Sequence, residues 1–419
     1  MKRFLASVAL LVLAACAQTP TPGEDVLPNL APLTFGSSNN DSANALARHS
    51  SGVYAVGYTS GNLHGTQKGN GDAFIRKYGT SGSVIWGRQF GTPSYEIAEG
   101  VASDSSNNAY VLGTTFGSLA GSRGNGDVFL RKYTSSGGVS WTRQIGTSSY
   151  EYAGDVAVYG SNVYVVGFTF GSLAGSKGSW DAFIRKYSSS GSVVWTRQFG
   201  TSVEDVAYDV AVDGSGNVYV SGSTYGALSG SNGGGSDMFI RRYNSGGSVV
   251  WTKQHHYSDQ DTGTAVAVSG STVYLVGGFW YSNNSEDPDV RVVKYTTGGT
   301  KGWDVGYGPS GYDYVYDASV NSTGNLYFAG TTYTNFAETH QGSGDGYVIK
   351  LNSSGGYAWR KQLGTPEYDV TYAVLSRTDA EVYTAGETYG VLGSGSSGNS
   401  DAYLRRLSGA SGGTVWTDQ

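Results

Sequence analysis

Apolar and polar residues alternate along this chain in short blocks that recur many times. Residues 205–254 show one set. Asp205-Val206-Ala207-Tyr208-Asp209-Val210-Ala211-Val212 leads into the polar turn Asp213-Gly214-Ser215-Gly216-Asn217, and Val218-Tyr219-Val220-Ser221-Gly222 follows. A Gly/Ser-rich loop runs to Asp237, then Met238-Phe239-Ile240-Arg241-Arg242-Tyr243, a second Gly/Ser turn and Ser248-Val249-Val250-Trp251-Thr252-Lys253-Gln254. The apolar runs are rich in β-branched and aromatic residues and are bounded by turn formers, so each predicts a strand. Beyond the N-terminal stretch no segment sustains a helical period.

The block of four strands repeats. Trp86, Trp141, Trp195, Trp251, Trp303, Trp359 and Trp416 are separated by 55, 54, 56, 52, 56 and 57 residues. Other columns keep the same register. A Tyr in the second strand (Tyr54, Tyr110, Tyr164, Tyr219, Tyr274, Tyr327, Tyr383) is followed three residues later by Gly. An Asp opens the third strand (Asp72, Asp127, Asp181, Asp237, Asp289, Asp345, Asp401), with Lys or Arg five residues on. Seven units of four short antiparallel strands predict an all-β fold, a seven-bladed β-propeller over residues 35–419. The indoles are expected to fill the widening gap between blades. The Gly of the second strand is expected to permit a positive φ or a close backbone approach. The last unit stops just past Trp416, and Phe35-Gly36 supplies the step it lacks, so the ring is expected to close where residues 32–36 meet blade seven.

Runs such as Gly71-Asp72-Ala73-Phe74-Ile75-Arg76-Lys77-Tyr78, Ser83-Val84-Ile85-Trp86 and Gly216-Asn217-Val218-Tyr219-Val220-Ser221-Gly222 resemble the bacterial β-propeller repeat family known as SBBP repeats. The resemblance covers residues 35–419. It implies a secreted or envelope protein and carries over no common catalytic residues. Ser408 to Trp416 also has the shape of pyrroloquinoline-quinone propeller repeats. Enzymes of that kind usually carry eight motifs and many have a vicinal cysteine pair; this chain has seven and a single cysteine, so no cofactor is expected.

The N-terminus reads differently. Lys2 and Arg3 precede the apolar run Phe4 to Leu13, which is too short to span a bilayer, and Leu13-Ala14-Ala15-Cys16 follows. This resembles a lipoprotein signal (residues 1–15) with Cys16 as the lipid anchor, which implies a membrane-tethered envelope protein at the outer membrane or cell surface. Residues 16–34 hold four of the eight prolines and read as an extended linker. The net charge of -6 and the lack of a Lys/Arg run argue against nucleic acid as a partner.

Candidate chemistry is sparse. A second acidic column precedes the first strand: Asp41, Glu96, Glu151, Asp205, Asp261, Asp313 and Asp369. With the first strand innermost, these would ring one mouth of the central channel and attract cations. The plainer reading, preferred here, has each carboxylate accept backbone N–H groups in its turn or pair with Arg88, Arg143, Arg197 or Lys253. Calcium needs six to eight oxygens from a tight loop, a pattern no unit repeats, so a turn-capping role is preferred for the Asp72 column. Positions that break the symmetry are better candidates for an asymmetric ligand. His255-His256 replaces the Phe-Gly step, and the loop with Tyr281, Glu286 and Asp287 replaces small residues. Adjacent strand residues face opposite ways, so His255 and His256 are not expected to share a metal. Trp180 stands where Gly71 and Gly126 sit and is expected to be an exposed stacking surface. No catalytic triad, P-loop or metal motif is present. The expected function is non-enzymatic binding of protein or polysaccharide; the alternative is a polysaccharide-active enzyme with a carboxylate pair at the channel mouth.

Overall fold

A computed structural model describes residues 35–419 apart from 258–259, 280–289, 309–310, 394 and 396–397. Among these, 28 strands form seven four-stranded antiparallel sheets, each drawn from consecutive strands in the order 1-2-3-4. The chain is a seven-bladed propeller, as its repeat predicts. The first strands (Asp41–His49, Glu96–Ser103, Glu151–Tyr159, Asp205–Val212, Asp261–Ser269, Asp313–Val320 and Asp369–Thr378) neighbour one another in sequence around the axis, and the last adjoins the first.

Each inter-blade gap holds its own apolar core. Second and third strands are buried almost throughout, and clusters such as Tyr54, Val56, Ile75, Phe90, Val111 and Phe129 draw on two adjacent blades. The indole of each blade reaches the next. Trp86 lies between Tyr54 of its own blade (5.8 Å between ring centres) and Tyr133 of the following one (6.2 Å). Its Nε1 donates to Ser135 O at 3.1 Å, and Lys77 Nζ donates to the same carbonyl at 2.8 Å. The cation column is therefore structural, since with the indole it grips the hairpin turn of the next blade. The joint recurs at Ser189, Ser245, Thr297, Ser353 and Gly409. It closes the ring where Trp416 and Arg406 both donate to Thr80 O, at 3.2 and 3.1 Å. A turn glycine of the next blade lies on each indole face. Gly137 has φ +84°, and a Cβ there would sit 2.8 Å from Trp86 Cδ2.

Closure also uses Phe35, buried among Phe74, Tyr78, Tyr383 and Leu404 from blades one and seven. Residues 32–34 lie outside the described residues.

The Gly of the second strand is explained by close approach rather than by positive φ. A Cβ at Gly57, Gly113, Gly222 or Gly386 would lie 1.9, 2.0, 1.9 or 1.8 Å from a first-strand carbonyl oxygen. That approach coincides with a bulge in the first strand of every blade, where the pairing register slips, as between Ala98 and Gly100 or between Val315 and Asp317.

Candidate functional site

The bulges position the chemistry. In blades one, two, four, six and seven the residue that loses its ladder partner is Asn44, Glu99, Tyr208, Tyr316 and Tyr372. Blade three carries Asp155 within its slip, and Asp209 and Asp317 follow theirs. Of these side chains, Asp155, Asp209 and Asp317 face the axis. Asp155 of blade three and Asp209 of blade four hydrogen-bond to each other, Asp155 feels the charge of Asp317 of blade six across the ring, and Asp317 in turn feels that of Asp209. Only side chains pointing inward bring blades three and six together in this way.

The inner carboxylates are partly open to solvent yet crowded by protein. Burial pushes Glu99 up to about 8, partly offset by the Thr114 hydroxyl donating to it at 2.8 Å. Burial, with the Asp209 charge, pushes Asp317 up to about 8. Burial and then the neighbouring Asp209 charge hold Asp155 well above the carboxylate range, and burial raises Asp209 against the hydrogen bonds it accepts. Backbone N–H groups of the same and the next blade bind Asp209 (Val210 at 2.6 Å, Val266 at 2.7 Å) and Asp317 (Ala318 at 2.7 Å, Val374 at 2.8 Å). Gly100 makes room for the pair: a Cβ there would lie 2.5 Å from Asp155 Oδ1.

About 13 Å along the strands, at roughly 3.3 Å per residue, lies an aromatic rim. The first two strands gain one extra pair at this end: Tyr95 with Phe116, Tyr150 with Phe170, Glu204 with Tyr225, Tyr312 with Tyr333, and Tyr368 with Tyr389. Phe116 (40%), Tyr150 (38%), Tyr225 (38%), Tyr312 (62%) and Tyr333 (40%) are exposed, so one end of the disc presents aromatic faces to solvent. Between rim and channel, Glu387 lies against Tyr372 and is pushed up to about 7 by burial.

The seven acids Asp41, Glu96, Glu151, Asp205, Asp261, Asp313 and Asp369 do not form an open ring at this mouth. All are at most 1% exposed, inside the turns between blades. Ser37, Thr92, Thr147, Thr201, Tyr257 and Thr365 each donate a backbone N–H, at 2.5–2.7 Å, to the acid four residues later. Hydroxyls complete the cage, as where Thr115 donates to Glu96 at 2.7 Å. Arg88, Arg143 and Arg197 are occupied elsewhere, with Gly137, Gly191 and Gly247 carbonyls. The Asp72 column caps the long loop after the second strand: Asp72 accepts Lys68 N–H at 3.0 Å and Gln89 Nε2 at 2.8 Å.

Trp180 is half-buried rather than exposed. It stacks on Phe168 (5.5 Å, 16°) and packs on Phe170 (4.6 Å), because the rim aromatics of its own blade offer a larger apolar surface than water. His255 and His256 do face apart. His255 stacks on Tyr257 and hydrogen-bonds Tyr295, whereas His256 turns to Asp237 and Asp261. Tyr281, Glu286, Asp287 and Cys16 lie outside the described residues. The inner acids Glu99, Asp155, Asp209 and Asp317 were missed by sequence reasoning. Their signal is a charge in the interior of an inner strand in some units and not in others.

Comparison with known proteins places the repeat. The SBBP beta-propeller repeat matches residues 85–119 and 194–228. A curated relative, the regulatory protein FlaEY of Caulobacter vibrioides, is 26% identical over 363 residues, 71% of this chain and 36% of that protein. The chain thus spans about a third of that relative's length. Among solved structures, a puromycin hydrolase mutant complexed with PGG aligns at TM-score 0.54 and 9% identity, over 92% of this chain and 55% of that one. The Pan2 WD40 domain of Neurospora crassa aligns at 0.47 and 11%, over 82% and 85%. At 9% identity the likeness to the hydrolase is one of fold.

Proposed function

We propose that this chain, which carries SBBP β-propeller repeats, is a cell-envelope binding protein that takes a polysaccharide on its aromatic face. The supporting observation is the concentration of exposed rings, Phe116, Tyr150, Tyr225, Tyr312 and Tyr333, at the end of the disc where the first strands begin. Aromatic faces stack on the C–H faces of sugar rings, and Tyr hydroxyls and carboxylates bond to sugar hydroxyls. The net charge of -6 favours neutral or amino-bearing sugars over polyanions. The lipid anchor at Cys16 and an outer-membrane or cell-surface location belong to the same proposal and rest on the signal-like N-terminus.

The test is a glycan array probed with the purified chain, followed by titration of the best ligand against Tyr312→Ala. Tyr312 is 62% exposed, so its loss should weaken binding by about tenfold, on the order of 1–2 kcal/mol, without lowering the melting temperature. No glycan bound at millimolar concentration, or a protein ligand that survives Tyr312→Ala, would refute the reading. An enzymatic reading draws on the close carboxyl pair Asp155 and Asp209. Turnover of chromogenic glycosides, lost in Asp155→Asn, would establish it instead.

A further inference from the structure

The two acidic columns meet at the joints between blades. A Cβ at Gly91 would lie 2.2 Å from Asp72 Oδ1 and 2.8 Å from Glu96 Oε2; one at Gly200 would lie 2.8 Å from Asp181 Oδ1 and 2.7 Å from Asp205 Oδ2. The glycine after the fourth strand thus leaves the space that a pair of carboxylates occupies. Gly36, Gly91, Gly146, Gly200, Gly308 and Gly364 all hold this position. At the joint of blades four and five the residue is His256.

We propose that Asp237, His256 and Asp261 form a binding site for a divalent transition-metal ion of the zinc class. The three residues each offer one ligand atom, and these atoms lie within 4.8 Å of one another. His256 Nδ1 is 3.2 Å from Asp237 Oδ1 and 3.8 Å from Asp261 Oδ2. Ligands about 2.1 Å from a tetrahedral ion are about 3.4 Å apart, so the spacing suits one shared ion. The carboxylates are held in place before any ion arrives. Asp237 Oδ2 accepts Gln254 Nε2 at 2.6 Å, and Asp261 Oδ2 accepts Tyr257 N–H at 2.6 Å. Both acids are 0% exposed, whereas the imidazole side chain is 39% exposed and opens the site to solvent for entry and for water ligands. One imidazole nitrogen with two carboxylates suits zinc and its first-row neighbours; calcium prefers six to eight oxygens. An ion here would tie blade four to blade five, because Asp237 begins the third strand of one and Asp261 the first strand of the other.

The test uses the tag-free, metal-stripped full chain. Calorimetric titration with Zn2+ should show one equivalent bound, Co2+ should give visible absorption bands of a nitrogen- and oxygen-ligated ion, and Ca2+ should give neither. His256→Gly installs the residue of the sister joints and should keep the apo melting temperature while weakening Zn2+ binding about 100-fold. His256→Gln, of similar bulk, serves if the glycine variant unfolds. Zn2+ binding left unchanged by both variants would overturn the assignment, since it would place the ion at another histidine. So would the absence of any binding tighter than about 100 μM, which would leave His256 as a hydrogen-bonded bridge between two acids.

Discussion

Replacing Gly137 by Ala tests whether the joint between blades is seated as described. Gly137 has φ +84°, and the new methyl would lie 2.8 Å from Trp86 Cδ2 and 3.1 Å from Arg88 Nη2. Two costs add. A left-handed backbone costs a non-glycine residue about 1–2 kcal/mol. Overpacking against a ring that cannot retreat costs a further ~1–3 kcal/mol. Gly160 supplies the control: its φ is +56°, and a Cβ there would meet nothing within 4 Å, so Gly160→Ala carries the backbone cost alone. Urea unfolding should therefore show Gly137→Ala less stable than Gly160→Ala by about 1–3 kcal/mol. In a Trp86→Ala background the methyl has room, and this excess should vanish. Equal costs in the wild-type background, or an excess that persists without the indole, would refute the seating of turn on ring.

Two further predictions concern pH. Glu99 is pushed up to about 8 by burial, from an ordinary value of 4.5, so between those limits the folded state holds a proton that the unfolded chain releases. Its contribution to stability is complete below about 4.5 and is lost as pH rises through about 8. Melts from pH 4 to 9 should show Glu99→Gln gaining on wild type as pH rises; a stability difference that stays constant with pH, or that moves against the variant, would contradict the placement of Glu99. Asp213 has the opposite sign. Burial opposes its charge, but the Asn217, Ser215 and Tyr219 donors together hold it below the usual carboxylate value. Asp213→Ala should cost about 2–3 kcal/mol near neutral pH, with the deficit shrinking in acid as the wild-type carboxylate protonates, read from urea midpoints.

Much of the architecture was readable from spacing. The Trp, Tyr, Gly, Asp and cation columns each mark a contact made once per blade, and a repeated contact leaves a repeated residue. The site was not readable in the same way. Glu99, Asp155, Asp209 and Asp317 fall at bulges, where the two-residue alternation of a strand breaks and the facing of a side chain no longer follows from its position. The column Asp41 to Asp369 looked more suggestive because it is complete, yet completeness reflected its duty in every turn. His256 stood out only as a departure, and its meaning depended on two acids, 19 residues before it and five after, that the fold brings to it.

Among the described residues every sheet, including the seventh, is built from four consecutive strands, and no blade takes a strand from the opposite end of the propeller's chain. The seam at Trp416 and Thr80 is built like the other six. The disc has no privileged starting point: a polypeptide begun at another blade and carried around would make the same joints in a different order. Rotational order, rather than the position of either terminus, is what the packing enforces.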